Sequence, residues 1–205
     1  MSSDQSARWD KVYGTKTEIL PWTNIIFSDL VHEYLNSLNK NELLLVPGCG
    51  RGETVNRLYM EGFRNVVGTD ISTEAITQAR ELFPRLDFRV IATEDLKNYK
   101  EFFGCNVFDW LNLHQISPSD FESYLSSLGT IGKTLCMSWI FHEGIEKLRS
   151  YVHDGEVYFH NPQTVFGIIN SESLTLKEES AFTFKANISE KDTTHSAVTQ
   201  VYAKS

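Results

Sequence analysis

The sequence predicts an α/β open sheet assembled from crossover units, and three observations carry that prediction. Short aliphatic or β-branched runs alternate with segments of helical periodicity between residues 42 and 139, the pattern of parallel strands joined by helices. The stretch LLLVPGCGRGE, from Leu43 to Glu53, leaves a greasy run for three glycines, Gly48, Gly50 and Gly52, as at the turn from the first strand into the first helix of such a sheet. Residues 174–184 and 197–203 both look extended, with few helical signals between them. Successive strands without a crossover helix pair antiparallel.

The elements follow in order. Residues 1–22 form a polar, aromatic arm. A helix is expected over 24–38, where Ile26, Leu30, Val31 and Leu38 repeat at helical spacing. Strands are expected at 42–46, 65–68, 88–91, 104–108 and 134–139, with helices near 53–61, 73–83 and 119–128. Ser72 is a good N-cap for the second of these helices, Glu74 suits the dipole in its first turn, and Pro84 stops it. Ending the fourth strand at Asp109 gives a sensible strand length and puts that carboxylate at the carboxyl edge; an alternative register makes it a mid-strand residue.

With 205 residues, 41% hydrophobic and 22% charged, the chain can bury one sizeable core, so 1–205 is expected to be a single domain. Net charge is -8 and no lysine or arginine run occurs, which argues against a nucleic-acid substrate. The start, MSSDQSARWDKVYG, has no charged leader or apolar segment, and no window approaches the roughly 20 apolar residues that span a bilayer. The expectation is a cytoplasmic protein with no membrane partner. Cys49, Cys105 and Cys136 are widely spaced, with no C-x-x-C pair, so reduced thiols are expected, neither disulfides nor zinc. Histidines His142, His153 and His160 also lack metal-ligand spacing.

Glycines at a strand-to-helix turn let the backbone take unusual dihedrals and approach a ligand closely, while free N–H groups at the helix start attract polar or anionic groups. The second strand runs into Thr69-Asp70-Ile71, placing a carboxylate 20 residues after Gly50, where it can accept from two ribose hydroxyls. The glycines run G-x-G-x-G, and Glu53 stands where the dinucleotide fingerprint has its last glycine. A negative charge at the helix mouth disfavours pyrophosphate, hence NAD or FAD. A cofactor whose amino-acid tail carries an ammonium group suits the same place, which points to S-adenosylmethionine.

These residues resemble the class I S-adenosylmethionine-dependent methyltransferases, and within them the small-molecule branch typified by thiopurine and thiol methyltransferases. The matching segments are LLLVPGCGRGE, VVGTDIS, the ATEDL turn, FDWLNLHQIS, and an amino-terminal WDKVY followed by Pro21-Trp22. They span about residues 9–139. The resemblance implies a Rossmann-like methyltransferase fold, a mostly parallel seven-stranded sheet with an antiparallel carboxyl-terminal strand and helices on both faces. It implies further that Gly48, Cys49, Gly50 and Gly52 line methionine and ribose, that Asp70 holds the ribose hydroxyls with Ile71 against adenine, and that Glu94 or Asp95 meets the adenine amino group. The sequence departs from the family where the third strand lacks a terminal Gly-Asp and where Cys105 stands in place of aspartate. Asn161-Pro162-Gln163 matches only part of the N-P-P-aromatic motif of amino-methylating DNA enzymes, and lies after the fifth strand instead of the fourth.

Methyl transfer from a sulfonium asks the protein mainly to position and dry the reactants. If the acceptor must lose a proton, the candidates are Asp109 and His114; equally, Asp109 could accept from the cofactor's ammonium and His114 could be a packing residue. Trp9, Tyr13 and Trp22 of the arm are a lid over the site or a cover for the core. Substrate selection is expected in the arm and in a variable region, 141–170. The resulting expectation is methyl transfer to a small-molecule acceptor: a thiol, a chalcogen oxyanion or another metabolite. The rivals are a protein or peptide methyltransferase and a non-catalytic module that keeps the cofactor fold.

Overall fold

The computed structural model describes residues 3–15, 26–143, 147–149, 156–189 and 191–204. Its strands are β1 (Leu44–Pro47), β2 (Val66–Asp70), β3 (Asp87–Val90), β4 (Cys105–Trp110), β5 (Gly132–Ile140), β6 (Lys147–Arg149), β7 (Glu156–Tyr158), β8 (Leu174–Ser189) and β9 (Lys191–Lys204). Its helices are α1 (Ser3–Gly14), α2 (Asp29–Ser37), α3 (Glu53–Met60), α4 (Thr73–Leu82), α5 (Pro118–Ile131) and α6 (Pro162–Ser171). The main sheet has seven strands in the order β3-β2-β1-β4-β5-β9-β8, while β6 and β7 form a separate pair. Strands β1 to β5 run parallel, β9 is antiparallel to β5, and β8 is antiparallel to β9. This is the sheet the sequence led us to expect.

Every residue of β1 and β2 is buried, because helices cover both faces of the parallel part. On one face Leu45, Val67, Val107 and Leu135 pack with Tyr124, Leu125 and Leu128 of α5 and Val165 and Ile169 of α6. On the other, Leu44, Val46, Val66 and Phe108 meet Val31 and Leu35 of α2, Val55 and Leu58 of α3, and Ile76 and Ala79 of α4. The period-two alternation along each strand thus feeds two cores.

Four local expectations are corrected. Helix α2 begins only at Asp29, since the Ser28 hydroxyl accepts from Val31 N and caps it, leaving Ile26 77% exposed before the helix. Strand β4 runs through Asp109 to Trp110, because its ladder with β5 continues to Trp110 opposite Ser138. The amino-terminal arm holds a helix, α1. Helix α6 was not expected at all, yet its start is chemically plain: the Asn161 side chain accepts from Gln163 N at 2.8 Å and Pro162 opens the first turn.

Helix α1 is fastened to α4. Asp10 accepts from the Ser72 hydroxyl at 2.6 Å and from Glu74 N at 3.0 Å, while Ser72 itself accepts from Ala75 N. Asp10 therefore extends the cap of α4, with its negative charge at the positive end of the helix. Gln78 donates to Tyr13 O at 2.9 Å, a second tie between the two helices. Asp10→Ala should lower the unfolding free energy in urea by about 1 kcal/mol; a change near zero would show that this contact does not hold α1 in place.

Candidate active site

The carboxyl ends of β1, β2 and β4 meet at one edge of the sheet, and the glycine loop lies across it. Gly48 and Gly50 both take left-handed backbone, with φ of 61° and 55°, which any side chain would strain. Close approach adds a second constraint. A Cβ on Gly48 would run into the Asn112 amide, and one on Gly50 would lie 2.6 Å from the Tyr13 hydroxyl oxygen. The groups that come so near this loop include the chain's own Asn112 and Tyr13.

Asp70, at the end of β2 and 8% exposed, reaches the same loop. It accepts from Gly50 N through Oδ2 and from Ser72 N through Oδ1, each at 2.9 Å. Burial raises its pKa, and the N–H groups of Ser72, Gly50 and Ile71 oppose that rise by favouring the charged form. Each carboxylate oxygen keeps acceptor capacity beyond these bonds. A ribose diol is a chemical match for such a group, and the residues at this edge fit S-adenosylmethionine in their chemistry: a carboxylate for the hydroxyls beside a glycine backbone.

The other candidate cofactor residues separate. The Cys49 side chain turns inward, and a Cβ on Gly68 of β2 would lie 2.8 Å from its sulfur. Its thiol donates to Gly50 O at 3.6 Å and its N–H to Thr69 O, so it braces the loop from within. Gly52 caps α3 and faces the Phe88 ring, so it serves packing. Ile71 is half-buried, and its carbonyl accepts from Ser6 of α1. In the 3-10 turn after β3, Thr93–Asn98, Asp95 is exposed whereas Glu94 has a carboxylate oxygen out of solvent, which favours Glu94 of the two. Glu53 is paired with Arg51, with nitrogen and oxygen 3.0 Å apart.

The amino-terminal residues divide too. Tyr13 is buried with Val12 and Ala75, and Trp9 packs partly buried against that cluster. Burial raises the Tyr13 pKa, with the charges of Asp70, Cys49 and Glu53 adding to it, so its hydroxyl keeps its proton. Trp22 lies outside the described residues.

Asp109 and His114 flank the turn after β4. Leu111 is left-handed, with φ of 56°, an uncommon conformation for a non-glycine residue. Its N–H donates to Ser138 O at 2.8 Å and its side chain is buried, which holds the turn. The chain doubles back there, and Asn112 comes to lie against Gly48. His114 follows in a 3-10 turn, Leu113–Gln115, and is 7% exposed. Asp109 is fully buried and faces α5, where the Tyr124 hydroxyl donates to its Oδ2 at 2.8 Å. Its Oδ1 is buried without a partner among the described residues. Burial pushes the Asp109 pKa up to about 7, against the hydrogen bond from Tyr124.

Beyond this edge the β8–β9 hairpin continues past the end of β5. Ile140 pairs with Ala197, Phe182 lies opposite Ala197 on β8, and the ladder runs on to Ser189 opposite Lys191. Phe182 stacks on Trp110, with ring centroids 6.1 Å apart, and Phe27 meets Trp110 edge-on at 4.8 Å. His142 contacts Phe159 edge-on at 4.8 Å and lies 6.1 Å from the His195 ring. Phe182 and His195 were missed by the sequence reading, as were Tyr124 and Asn112. For Tyr124 a signal existed: it shares an apolar helix stripe with Phe121, Leu125 and Leu128, and a buried hydroxyl needs a partner. Among the described residues no three His, Cys, Asp or Glu side chains gather as a metal site.

Residues 45–133 match the family model described as a methyltransferase domain. No curated protein matches the chain. Among solved structures it is similar to an S-adenosylmethionine-dependent methyltransferase from Anabaena variabilis, at 13% identity and a TM-score of 0.80, covering 100% of this chain and 96% of that one. A protein described for the conversion of a disulfide bond into a thioacetal group during echinomycin biosynthesis is similar at 19% identity and a TM-score of 0.74, with coverage of 97% and 92%. Magnesium protoporphyrin IX methyltransferase from Synechocystis, solved with S-adenosylmethionine, is similar at 15% identity and a TM-score of 0.58, with coverage of 98% and 92%. At these identities the structural likeness is one of fold. Together with the matched domain it supports a class I methyltransferase with S-adenosylmethionine as cofactor.

Asp70→Ala should weaken S-adenosylhomocysteine binding by about 1.5–3 kcal/mol, the range for hydrogen bonds to a charged group; unchanged affinity in calorimetry would remove Asp70 from the site. The pH dependence of Asp109 has a definite sign. Its folded pKa of about 7 exceeds the ordinary 3.8, so between those values the folded chain holds a proton that the unfolded chain releases, and stability falls as pH rises through that window. Asp109→Asn removes this dependence. The melting temperature of Asp109→Asn relative to the parent should therefore climb from pH 5 to pH 8, and parallel profiles would contradict the buried neutral carboxyl.

Proposed function

We propose that this chain transfers a methyl group from S-adenosylmethionine to a small-molecule acceptor, in the manner of the thiopurine and thiol methyltransferases. The observation that carries this reading is the Asp70 carboxylate bonded to Gly50 N beside left-handed Gly48. A carboxylate and glycine backbone side by side at the carboxyl edge of the sheet support the reading, because a ribose diol can donate to such a group.

The bound cofactor supplies a methyl group already activated on a sulfonium, so the side chains have chiefly to orient and exclude water. Asp70 holds the ribose, the loop backbone at Gly48 and Gly50 lies along ribose and methionine, and Glu94 serves the adenine amino group. Tyr13, brought over Gly50 by α1, covers the loop from outside. Holding reactants in a near-attack arrangement supplies on the order of 7–11 kcal/mol of a barrier. A soft nucleophile such as a thiol then needs no dedicated base.

Asp109 is turned into α5 and fully buried, so we assign it to support of the site instead of proton transfer with the acceptor. His114 keeps the role of candidate proton acceptor for a substrate that must be deprotonated. Beyond the carboxyl edge Trp110 stacks with Phe182, and His142 meets Phe159 edge-on. Aromatic neighbours of this kind suit an organic thiol or another apolar metabolite better than an oxyanion, whose burial costs hydration.

The acceptor is found by assaying a panel of thiols, selenium and tellurium oxyanions, small amines and acids, and unstructured peptides for S-adenosylhomocysteine release. Turnover is expected with organic thiols. Turnover with peptides alone would overturn the small-molecule reading, and an absence of cofactor binding would favour a non-catalytic module. With an active thiol in hand, Phe182→Ala should raise KM for the acceptor several-fold and leave KM for the cofactor in place; the reverse would remove the hairpin from the acceptor side.

A further inference from the structure

The Tyr124 hydroxyl is a junction. It donates to Asp109 Oδ2 at 2.8 Å and accepts from Asn112 Nδ2 at 2.9 Å. The two partners belong to different segments at the carboxyl edge: Asp109 to β4 and Asn112 to the turn after it. Through Asn112 the junction also reaches a third, since the Asn112 amide fills the space that a Cβ on Gly48 would take.

None of this is needed for packing alone. Tyr124 is fully buried within an apolar cluster, where phenylalanine would fill nearly the same volume without a hydroxyl to satisfy. The burial of Asp109 is also costly unless a donor meets it. A buried polar network with shared partners fixes one arrangement of the segments it joins. Here those segments border the glycine loop and the turn that carries His114.

We propose that Tyr124 is a positioning residue of this site: its hydroxyl, anchored on Asp109, holds Asn112 across Gly48 and so ties the end of β4 to the glycine loop. The site thereby keeps its cofactor-binding shape. Tyr124 acts through Asn112 and touches no reactant. The proposal rests on the assignment of S-adenosylmethionine to the glycine loop, and the test separates the two.

Calorimetry with S-adenosylhomocysteine on the full chain is run for the parent, Tyr124→Phe, Asn112→Ala and the double variant, alongside thermal melts. The parent is expected to bind; failure to bind would overturn the cofactor assignment and the proposal with it. Tyr124→Phe and Asn112→Ala should each raise Kd roughly 3- to 10-fold, the scale of one hydrogen bond. The double variant should lose clearly less than the product of the two, because both act on one contact. A lower melting temperature for Tyr124→Phe with Kd unchanged would overturn the proposal and leave the tyrosine a structural residue, as would multiplicative losses in the double variant. If Tyr124→Phe fails to fold, Asn112→Ala, altered at a half-buried position, decides: an unchanged Kd overturns the proposal.

Discussion

One carboxylate joins the ends of the first two strands. Asp70 takes an N–H from Gly50 on one side and from Ser72 on the other, each at 2.9 Å. The first bond fixes the left-handed loop after β1, and the second fixes the start of α4, which Ser72 and Asp10 cap in turn. Because α1 is docked through that same cap, one set of hydrogen bonds links the amino-terminal helix, the glycine loop and the β2 end. Tyr13 is brought over Gly50 as a consequence.

This arrangement changes what the glycines of the loop are for. Gly48 and Gly50 have to be glycine for two reasons, left-handed backbone and the crowding of Asn112 and Tyr13 against them. Gly52, left-handed as well with φ of 86°, answers to the Phe88 ring in the core. Bare backbone at this turn therefore serves internal packing at all three glycines. The polar neighbours, Asn112 and Tyr13, stand on the side where methionine and ribose are assigned.

Much of this was legible in the sequence. Parallel strands show in the sequence as short aliphatic runs, and the spacing from Gly50 to Asp70 marks the loop and its carboxylate. What local signals did not convey was contact between distant segments. Asn112 and Gly48 are brought together only by the left-handed turn at Leu111, and nothing in the residue type of a leucine signals that conformation. Asp109 read as an edge residue because strand length was judged from one strand alone; its ladder with β5 carries β4 one residue further. Helix α6 was hidden because Asn161-Pro162 was weighed as a motif fragment, although a capping asparagine followed by proline is a helix start. The contact of Phe182 with Trp110 likewise depends on how far two strands outrun their neighbour, a tertiary fact.

Cofactor binding at this edge requires a sugar held between Asp70 and the glycine loop. A crystal structure with S-adenosylhomocysteine tests this most directly. The ribose hydroxyls should lie within hydrogen-bond distance of the Asp70 carboxylate, with the amino-acid end running past Gly48 toward Asn112. Density for the sugar at any other edge of the sheet, with Asp70 still bonded only to Gly50 and Ser72, would contradict it.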